Sequence, residues 1–284
     1  MLKNNLLTKI PRFEEEIERG ERFSFGDNWK AFLSNLSDKH LHEAESSLKD
    51  MLEVESLNGK RFLDVGSGSG LFSLAARCMG AEVVSFDYDP ISVWCTRELR
   101  NRYFPDNNRW LIHQGSALDN NFLSSLGQFD IVYAWGVLHH TGDLWKAIEL
   151  IVPLVKSTGG SLFIAIYNDQ GRKSKIWKII KKSYCYFPTI LKPFILFPTS
   201  LILLGPRLFL DLVKFKPLVT FRKYYIRRGM SPWQDLVDWV GGYPYEVAKP
   251  EEIFDYFRNR GFILRRLKTT TGFGNNQFVF QLQK

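Results

Sequence analysis

Hydrophobic and polar positions follow two rhythms along this chain. Within residues 12–58, apolar side chains recur at spacings of three and four, which predicts helical structure. Between residues 61 and 167, short apolar runs alternate with helical patterns, which predicts a parallel sheet with crossover helices. The predicted strands are 61–65, 82–86, 109–113, 129–134 and 161–167, and the predicted helices are 69–79, 90–103, 118–126 and 143–155.

The alternation stops after residue 168 and returns near the end of the chain. The last predicted elements are a helix at 250–260, strands at 262–270 and 277–283, and a Gly-rich turn at 272–276. Two consecutive strands with so short a link are antiparallel. The predicted fold class is therefore α/β, with a doubly wound, mostly parallel, seven-stranded sheet that ends in an antiparallel hairpin. N-terminal helices and a helical insertion complete it.

These changes of pattern divide the chain into four predicted segments. They are an N-terminal helical cap at 1–60, an α/β core at 61–168, a helical, basic and aromatic insertion at 169–248 that is expected to cover the substrate, and the end of the core sheet at 249–284.

A glycine turn, D-x-G-x-G-x-G over 64–70, lies between the first predicted strand and the helix behind it. Glycine permits positive φ and lets a ligand approach the backbone, and free N–H groups at a helix start point at such a ligand. A dinucleotide fingerprint needs its third glycine at 71 or 73, where Leu71 and Ser73 stand. A tight turn without a ligand is the alternative, so the residues downstream decide.

Two downstream features favour a nucleoside ligand at this turn. Asp87 ends the second predicted strand, at about the distance from the glycines at which an acid contacts a ribose. The fourth strand continues into the segment FDIVYAWGVLHH at 129–140. Residues just past a strand end face the crevice where open α/β sheets bind ligands.

The glycine turn, Asp87 and the segment 129–140 together resemble class I S-adenosylmethionine (SAM)-dependent methyltransferases. The resemblance covers 61–168 and, less fully, 250–284, and it implies a Rossmann-like core that uses SAM and releases S-adenosylhomocysteine. It is nearest to small-molecule O-methyltransferases, such as those of quinone biosynthesis, and to bacterial relatives near glycan genes. Ala134-Trp135-Gly136-Val137 stands where many amino-methyltransferases carry Asn/Asp-Pro-Pro-Tyr/Phe, which disfavours that class.

The resemblance also implies which residues contact SAM. Asp87 is assigned to the ribose, Trp135 and Gly136 to the methionine part, and Tyr88 to the adenine. Ser116 departs from the acid that the family commonly carries at its position. The full set of expected SAM contacts is Asp64, Gly66, Ser67, Gly68, Gly70, Asp87, Tyr88, Ser116, Ala117, Trp135 and Gly136.

Methyl transfer from a sulfonium needs alignment and, for an oxygen acceptor, a base, so no metal site is expected. Histidine has a suitable pKa, and His140 is the first candidate base. His139 and Glu246 are rival bases, and packing under the sheet edge is the alternative role for His139.

The expected acceptor is an oxygen, less readily a carbon, of a small molecule or glycan precursor. Polar residues that suit such a substrate are Asn168, Asp169, Asp238, Tyr243 and Asn276. A methyltransferase acting on protein or RNA is one alternative, and a SAM-binding protein without transferase activity is another. The basic and aromatic segment 222–233 would suit RNA, but no nucleic-acid module is recognisable, so a nucleic-acid partner is not expected.

Charge and cysteine content favour particular locations of the protein within the cell. The net charge of +8 favours anionic partners or membrane surfaces. A basic amphipathic helix at 172–182 precedes an apolar stretch at 184–204, whose prolines and Lys192 argue against a membrane span but allow peripheral contact with an anionic membrane. The three cysteines are far apart and form no metal or disulfide pattern, which favours a cytoplasmic location, at the membrane periphery if the insertion binds lipid.

Overall fold

A computed structural model describes residues 11–105, 108–213 and 232–283. The described strands are β1 Arg61–Val65, β2 Glu82–Asp87, β3 Trp110–Gln114, β4 Ile131–Trp135, β5 Ser161–Tyr167, β6 Phe262–Lys268 and β7 Asn275–Leu282. They form one sheet in the order β3-β2-β1-β4-β5-β7-β6. The first five pair in parallel, and β7 inserts antiparallel between β5 and β6. The predicted fold class is confirmed.

The described helices are α1 Pro11–Glu18, α2 Gly26–Ser34, α3 Asp38–Leu52, α4 Leu71–Cys78, α5 Pro90–Tyr103, α6 Asn120–Ser125, α7 Leu144–Ile151, α8 Arg172–Tyr186, α9 Lys192–Val213, α10 Pro232–Gly241 and α11 Pro250–Arg258. Consecutive strand residues point to opposite faces of the sheet. Thus Phe62 packs in the core with α3, α4 and α5, while Leu63 packs in the core with α6, α7 and α11. Both faces of the sheet are therefore covered.

The strand order reverses between β1 and β4, which lie side by side with Asp64 opposite Tyr133. Chains leaving these two strands turn away in opposite directions, which opens a crevice at their carboxyl ends. The glycine turn follows β1 and the segment 136–140 follows β4, so both segments start at this crevice.

The predicted helical region 12–58 consists of three helices, and Gly20 stands in the first break with φ of +68°. A Cβ at Gly20 would lie 2.6 Å from the Tyr186 Cα atom, so the close approach to α8 requires glycine. The predicted start of the last strand at 277 is wrong: pairing of Asn275 with Tyr167 starts β7 at Asn275, so the link after β6 is 269–274.

The helices after β5 pack around a third apolar cluster. Its members are Trp177, Tyr184, Leu196, Leu236, Val240 and Tyr245. In the described part of the chain, Thr189–Pro206 is the one stretch long and apolar enough, at a mean hydropathy of 1.5, to cross a bilayer. Residues 222–231 of the basic and aromatic segment lie outside the described residues.

Candidate active site

A cavity of about 890 Å³ opens at the carboxyl ends of β1, β2 and β4. The turns after these strands form its floor. Residues 13–32 form one wall, and α9, α10 and the turn before β7 form the other. A volume of this size accommodates a nucleoside cofactor together with a small acceptor.

The glycine turn forms a cradle that side chains would fill. Gly66 and Gly68 line the cavity with φ of +73° and +54°. A Cβ at Gly66 would lie 2.4 Å from Val137 Cγ1, and one at Gly68 would lie 2.9 Å from Trp29 Cε2. Both positions therefore keep the backbone open to a ligand. Ser67 lines the cavity between them.

Gly70 has a structural role instead. It lies outside the cavity lining and precedes α4 with φ of +82°. A Cβ at this position would lie 2.9 Å from the Thr96 Cα atom on α5. The third glycine therefore allows two helices to pack closely. It does not line the cavity, where the expected contact with SAM would place it.

Asp87 ties the cradle to the end of β2. Its Oδ2 accepts a hydrogen bond from the Gly68 N–H at 2.9 Å, and its Oδ1 accepts one from the Asp89 N–H at 2.9 Å. Burial raises the pKa of Asp87 to about 6, although these N–H donors oppose the shift. Each carboxylate oxygen retains a second lone pair, so Asp87 can also accept two hydroxyl donors.

Asp64 is buried beneath the cradle and also lines the cavity. Its Oδ2 accepts a hydrogen bond from Ser73 Oγ at 2.5 Å, and burial raises the pKa of this carboxyl to about 7. Tyr133 lies opposite on β4, and its buried hydroxyl has no hydrogen-bond partner among the described residues. Asp64 and Tyr133 therefore place a carboxyl and a free hydroxyl beside the cradle.

The other expected SAM contacts, Tyr88, Ser116, Ala117, Trp135 and Gly136, all line the cavity. The Tyr88 hydroxyl donates to Glu16 Oε1 at 3.2 Å, and its ring contacts Phe13 edge-on. Tyr88 is therefore held by α1 beside the predicted adenine end. Ser116 Oγ accepts from the Leu118 N–H at 3.1 Å, so this hydroxyl already has a local partner.

His140 is the candidate base that reaches the cavity. Its Nδ1 lies 2.7 Å from the carbonyl oxygen of Pro244. A carbonyl only accepts, so Nδ1 carries the proton and Nε2 has the free lone pair. Burial lowers the pKa of His140 to about 3, with Lys181 and Arg22 acting in the same direction. The imidazole is therefore neutral at physiological pH.

The two rival bases lie outside the cavity lining. His139 is fully buried, its Nδ1 accepts from the Tyr167 N–H at 3.3 Å, and burial lowers its pKa well below 6.5. Glu246 Oε2 accepts from the Leu144 N–H at 2.9 Å, at the start of α7. The 3₁₀ turn Leu138–His140 directs the two adjacent histidines to different surroundings, which sequence alone does not resolve.

Among the expected substrate residues, only Asp238 lines the cavity. It accepts a hydrogen bond from Asn28 Nδ2, and burial raises its pKa to about 7. The other four expected contacts lie outside the cavity lining and form hydrogen bonds within the protein. Asn276 Nδ2 donates to Asn168 Oδ1 at 3.0 Å, Asp169 Oδ1 accepts from the Gly171 N–H at 2.8 Å, and the Tyr243 carbonyl accepts from the Phe23 N–H at 2.8 Å.

Several lining residues were missed by sequence reasoning. The N-terminal wall contributes Phe13, Arg22, Phe23, Phe25, Trp29 and Phe32. Arg22 Nη1 donates to the His140 carbonyl at 2.8 Å, which fixes the base relative to this wall. Asn275 and Trp239 also line the cavity, and Asn275 Oδ1 and Trp239 Nε1 are buried without a partner among the described residues. The aromatic density of 23–32 was the available signal, but nothing local linked it to His140.

Comparison with known proteins identifies the family of this chain. The family model described as a methyltransferase domain matches residues 36–187, more than half of the chain. A ribosomal protein L11 methyltransferase of Prochlorococcus marinus is 31% identical over 50% of this chain and 46% of its own length. A ubiquinone biosynthesis O-methyltransferase of Aromatoleum aromaticum is 28% identical over 51% of this chain and 60% of its own length. The chain thus spans about half the length of these relatives.

Solved structures share the fold at low sequence identity. The magnesium protoporphyrin IX methyltransferase of Synechocystis PCC 6803 with bound S-adenosylhomocysteine aligns with a TM-score of 0.52 at 14% identity, over 88% of this chain and 86% of that one. An O-methyltransferase family protein of Burkholderia thailandensis aligns with a TM-score of 0.53 at 14% identity, over 96% and 67%. With the family match and the glycine cradle, these likenesses show that the chain belongs to the class I SAM-dependent methyltransferases.

Proposed function

We propose that this methyltransferase moves the methyl group of SAM to an oxygen atom of a small molecule or glycan precursor, with His140 as the general base. The observation that carries the proposal is the hydrogen bond between His140 Nδ1 and the Pro244 carbonyl. It fixes a neutral imidazole at the cavity with the Nε2 lone pair available for a proton.

The chain's own residues fit SAM along the floor of the cavity. We assign the ribose to Asp87, whose free lone pairs suit two hydroxyls, and the backbone approach to Gly66, Ser67 and Gly68. Asp64, Trp135 and Gly136 are assigned to the methionine part, and Tyr88, Ser116 and Ala117 to the adenine side. When bound, SAM supplies an electrophilic methyl group whose leaving group departs as a neutral thioether.

The role of His140 follows from its lone pair. A hydroxyl becomes strongly acidic as its oxygen gains a methyl group, so a base of low pKa is sufficient to take the proton. Nε2 accepts that proton, while the Nδ1–H bond to Pro244 keeps the ring in place. General-base catalysis of this kind contributes typically about 10²–10⁴-fold.

A carboxyl group favours a hydroxylated acceptor. Asp238 lies on the same side of the cavity as Trp239 and Asn275, and its oxygens can accept a hydrogen bond from a hydroxyl. We propose that the segment 169–248, together with the N-terminal cap at 1–60, encloses this acceptor beside the SAM-binding core. The O-methyltransferase name of the ubiquinone relative supports oxygen over carbon.

The likeness to ribosomal protein L11 methyltransferases favours a second candidate, methylation of a protein. That likeness covers 50% of this chain and 46% of the relative, so it carries little information on the acceptor. A cavity walled by aromatic side chains from two separate segments suits a small acceptor better than a folded protein.

The experiment that tests the proposal has two parts. Calorimetry with SAM and S-adenosylhomocysteine should show binding of both to the wild-type protein and to His140→Asn. Labelled methyl transfer into a cell extract should then place the label in low-molecular-weight material for the wild type and not for the variant. Label in macromolecules supports the protein or RNA alternative, and SAM binding without any transfer supports a binding protein.

We also propose a cytoplasmic location. Cys78, Cys95 and Cys185 are all free thiols, and burial raises the pKa of each one. Thiols held in this state suit a reducing compartment. Mass spectrometry of the purified protein after oxidation by air should show no intramolecular disulfide.

A further inference from the structure

The helices after β5 expose a large apolar surface, which we call the platform. It consists of Ile179, Ile190, Phe194, Phe197, Leu201 and Ile202, each of which is at least half exposed. Ile190 and Phe194 are 79% and 76% exposed, which is unusual for side chains of this size. Phe194, Phe197 and Leu201 follow each other on α9 at spacings of three and four, so they share one face of the helix. Exposed apolar surface of this kind marks an interaction site rather than an ordinary protein surface.

Positive charge surrounds the platform. Between Asp169 and Asp211 the sequence contains eight lysine or arginine residues and no aspartate or glutamate. On α8, the inward face holds Ser174, Trp177, Lys181 and Tyr184. The outward face interleaves Ile176 and Ile179 with exposed lysines at 173, 175, 178 and 182. An apolar face bordered by cations is typical of helices that lie in the interface of an anionic membrane.

The platform is continuous with the cavity through α9. Leu201 and Ile202 are exposed, while Leu203 and Leu204 of the same helix line the cavity. Leu196 and Thr199 face the protein, so α9 is already partly packed. A partner that covers the platform therefore lies against the outer side of the cavity wall to which α9 belongs.

We propose that the platform docks on the surface of an anionic bilayer, with α9 lying in the interface, and that an amphiphilic methyl acceptor reaches the cavity from the lipid side. The second part rests on the proposed function. A second copy of this chain is a poorer occupant, because a two-fold contact through the platform would bring two clusters of cations together. The contacts of Leu196 and Thr199, with Pro198 and Pro206 inside α9, favour an in-plane helix over a spanning one.

Flotation of the full-length protein with lipid vesicles tests the docking. We expect it to float with vesicles of phosphatidylcholine and phosphatidylglycerol, to float far less with phosphatidylcholine alone, and to be partly released by salt. The double variant Ile190→Ser/Phe194→Ser should weaken partition into anionic vesicles by roughly 10-fold or more. Leu111→Ser, which removes an exposed leucine from β3, is the matched control and should behave as wild type.

A charge variant separates the electrostatic contribution to vesicle binding from the apolar contribution. Lys175→Gln/Lys178→Gln should weaken binding to the anionic vesicles by about 10- to 30-fold and leave the weak binding to neutral vesicles unchanged. Lys146→Gln on α7 is its control. SAM affinity, measured by calorimetry on every variant, should not change, because none of these side chains lines the cavity.

Three outcomes would overturn the docking. They are equal flotation with neutral and anionic vesicles, unchanged flotation of Ile190→Ser/Phe194→Ser, and a lipid-free dimer in the ultracentrifuge that this double variant dissociates. The last result would assign the platform to a second copy. Failure of the wild type to bind SAM would instead contradict the proposed function, and the flotation result would stand independently of it.

Discussion

The two halves of the cavity are built in different ways. The half that we assign to SAM consists of strand ends and the turn directly behind β1, where the Asp87 carboxylate accepts hydrogen bonds from two backbone N–H groups. The half that we assign to the acceptor is assembled by contacts between residues far apart in sequence. Arg22 bonds to the His140 carbonyl across 118 positions, and Asn28 bonds to Asp238 across 210. The first half depends on contacts between residues close in sequence, whereas the second depends on contacts between distant segments.

This difference determines how each half responds to change. In the SAM half, a substitution changes the backbone cradle directly, so affinity for SAM is the sensitive measure. In the acceptor half, a side chain such as His140 is held by Pro244 and Arg22 from distant segments, so turnover and stability are the sensitive measures. The predictions below test whether the two halves are separable in this way.

The largest expected effect comes from His140→Asn. The asparagine amide can replace the Nδ1–H donor to the Pro244 carbonyl, but no lone pair remains at the Nε2 position. We expect turnover to fall about 10²–10⁴-fold, as measured by labelled methyl transfer, while calorimetry shows SAM affinity within about twofold of wild type. Loss of SAM affinity in the same variant would show that the two halves are coupled.

His139→Ala is the matched control for that variant. His139 is fully buried beside His140 but lies outside the cavity. Removing its ring should leave a void and lower the free energy of unfolding by about 2–4 kcal/mol, measured by urea denaturation. Turnover per folded molecule should fall much less than in His140→Asn. An equal loss of turnover in both variants would contradict the assignment of the base to His140 alone and would indicate that the two histidines act together.

Asp87→Ala should have the second largest effect. It removes an ionised acceptor that holds the Gly68 N–H and is proposed to bind the ribose hydroxyls. We expect SAM affinity to fall about 100-fold, which corresponds to roughly 3 kcal/mol. Calorimetry measures this directly, and an unchanged dissociation constant would remove Asp87 from the ribose role.

The same carboxyl predicts a pH dependence. Burial raises the pKa of Asp87 to about 6, so this group gains its proton as pH falls through that value, well above the usual range of an aspartate. Since only the ionised form accepts both hydroxyls, SAM affinity should decline below about pH 6. Asp87→Asn should bind SAM weakly at every pH and lose this decline. A decline that persists in Asp87→Asn would point to Asp64, whose pKa is raised to about 7.

A smaller effect is expected from Gly68→Ala. Its φ of +54° and the 2.9 Å approach of a Cβ to Trp29 Cε2 mean that alanine both strains the turn and displaces a cavity wall. The strain alone is about 1–2 kcal/mol, so SAM affinity should fall about 10-fold. Gly59→Ala is the control, because Gly59 has φ of +70° with nothing near its Cβ position. It should lower stability without changing SAM affinity.

The same contrast explains what the sequence could predict. The order of strands and helices, the glycine turn and the acid at Asp87 follow from periodicity and spacing within about 30 residues, and the structure places them as expected. The acceptor residues could not be found in this way. Asn168 and Asn276 are polar residues at the expected edge, yet they bond to each other, whereas the neighbouring Asn275 lines the cavity. Strand register decides between two adjacent asparagines, and register depends on the whole sheet.

The N-terminal wall shows a second limit of sequence reasoning. Trp29 lies against Gly68 and Arg22 holds His140, so residues from the predicted cap contact both halves of the cavity. Periodicity assigned this segment to helices but contained no information on where they pack. An aromatic cluster at 23–32 indicates burial, and only tertiary contacts show that these side chains line the cavity.

A pH-dependent effect on stability is expected from Lys181, a buried lysine behind the half assigned to the acceptor. Its Nζ donates to the Trp239 carbonyl, and burial lowers its pKa to about 7 from 10.5. Between these values the unfolded chain binds the proton and the folded protein does not, so the free energy of unfolding should rise with pH. Lys181→Met should remove this rise between pH 7 and 9, a window that avoids the opposite contributions of Asp238 below it and Cys185 above it. Urea midpoints at pH 7, 8 and 9 measure the difference. An identical rise in Lys181→Met would mean that Lys181 keeps its charge in the folded state, and His140 would then face a permanent cation.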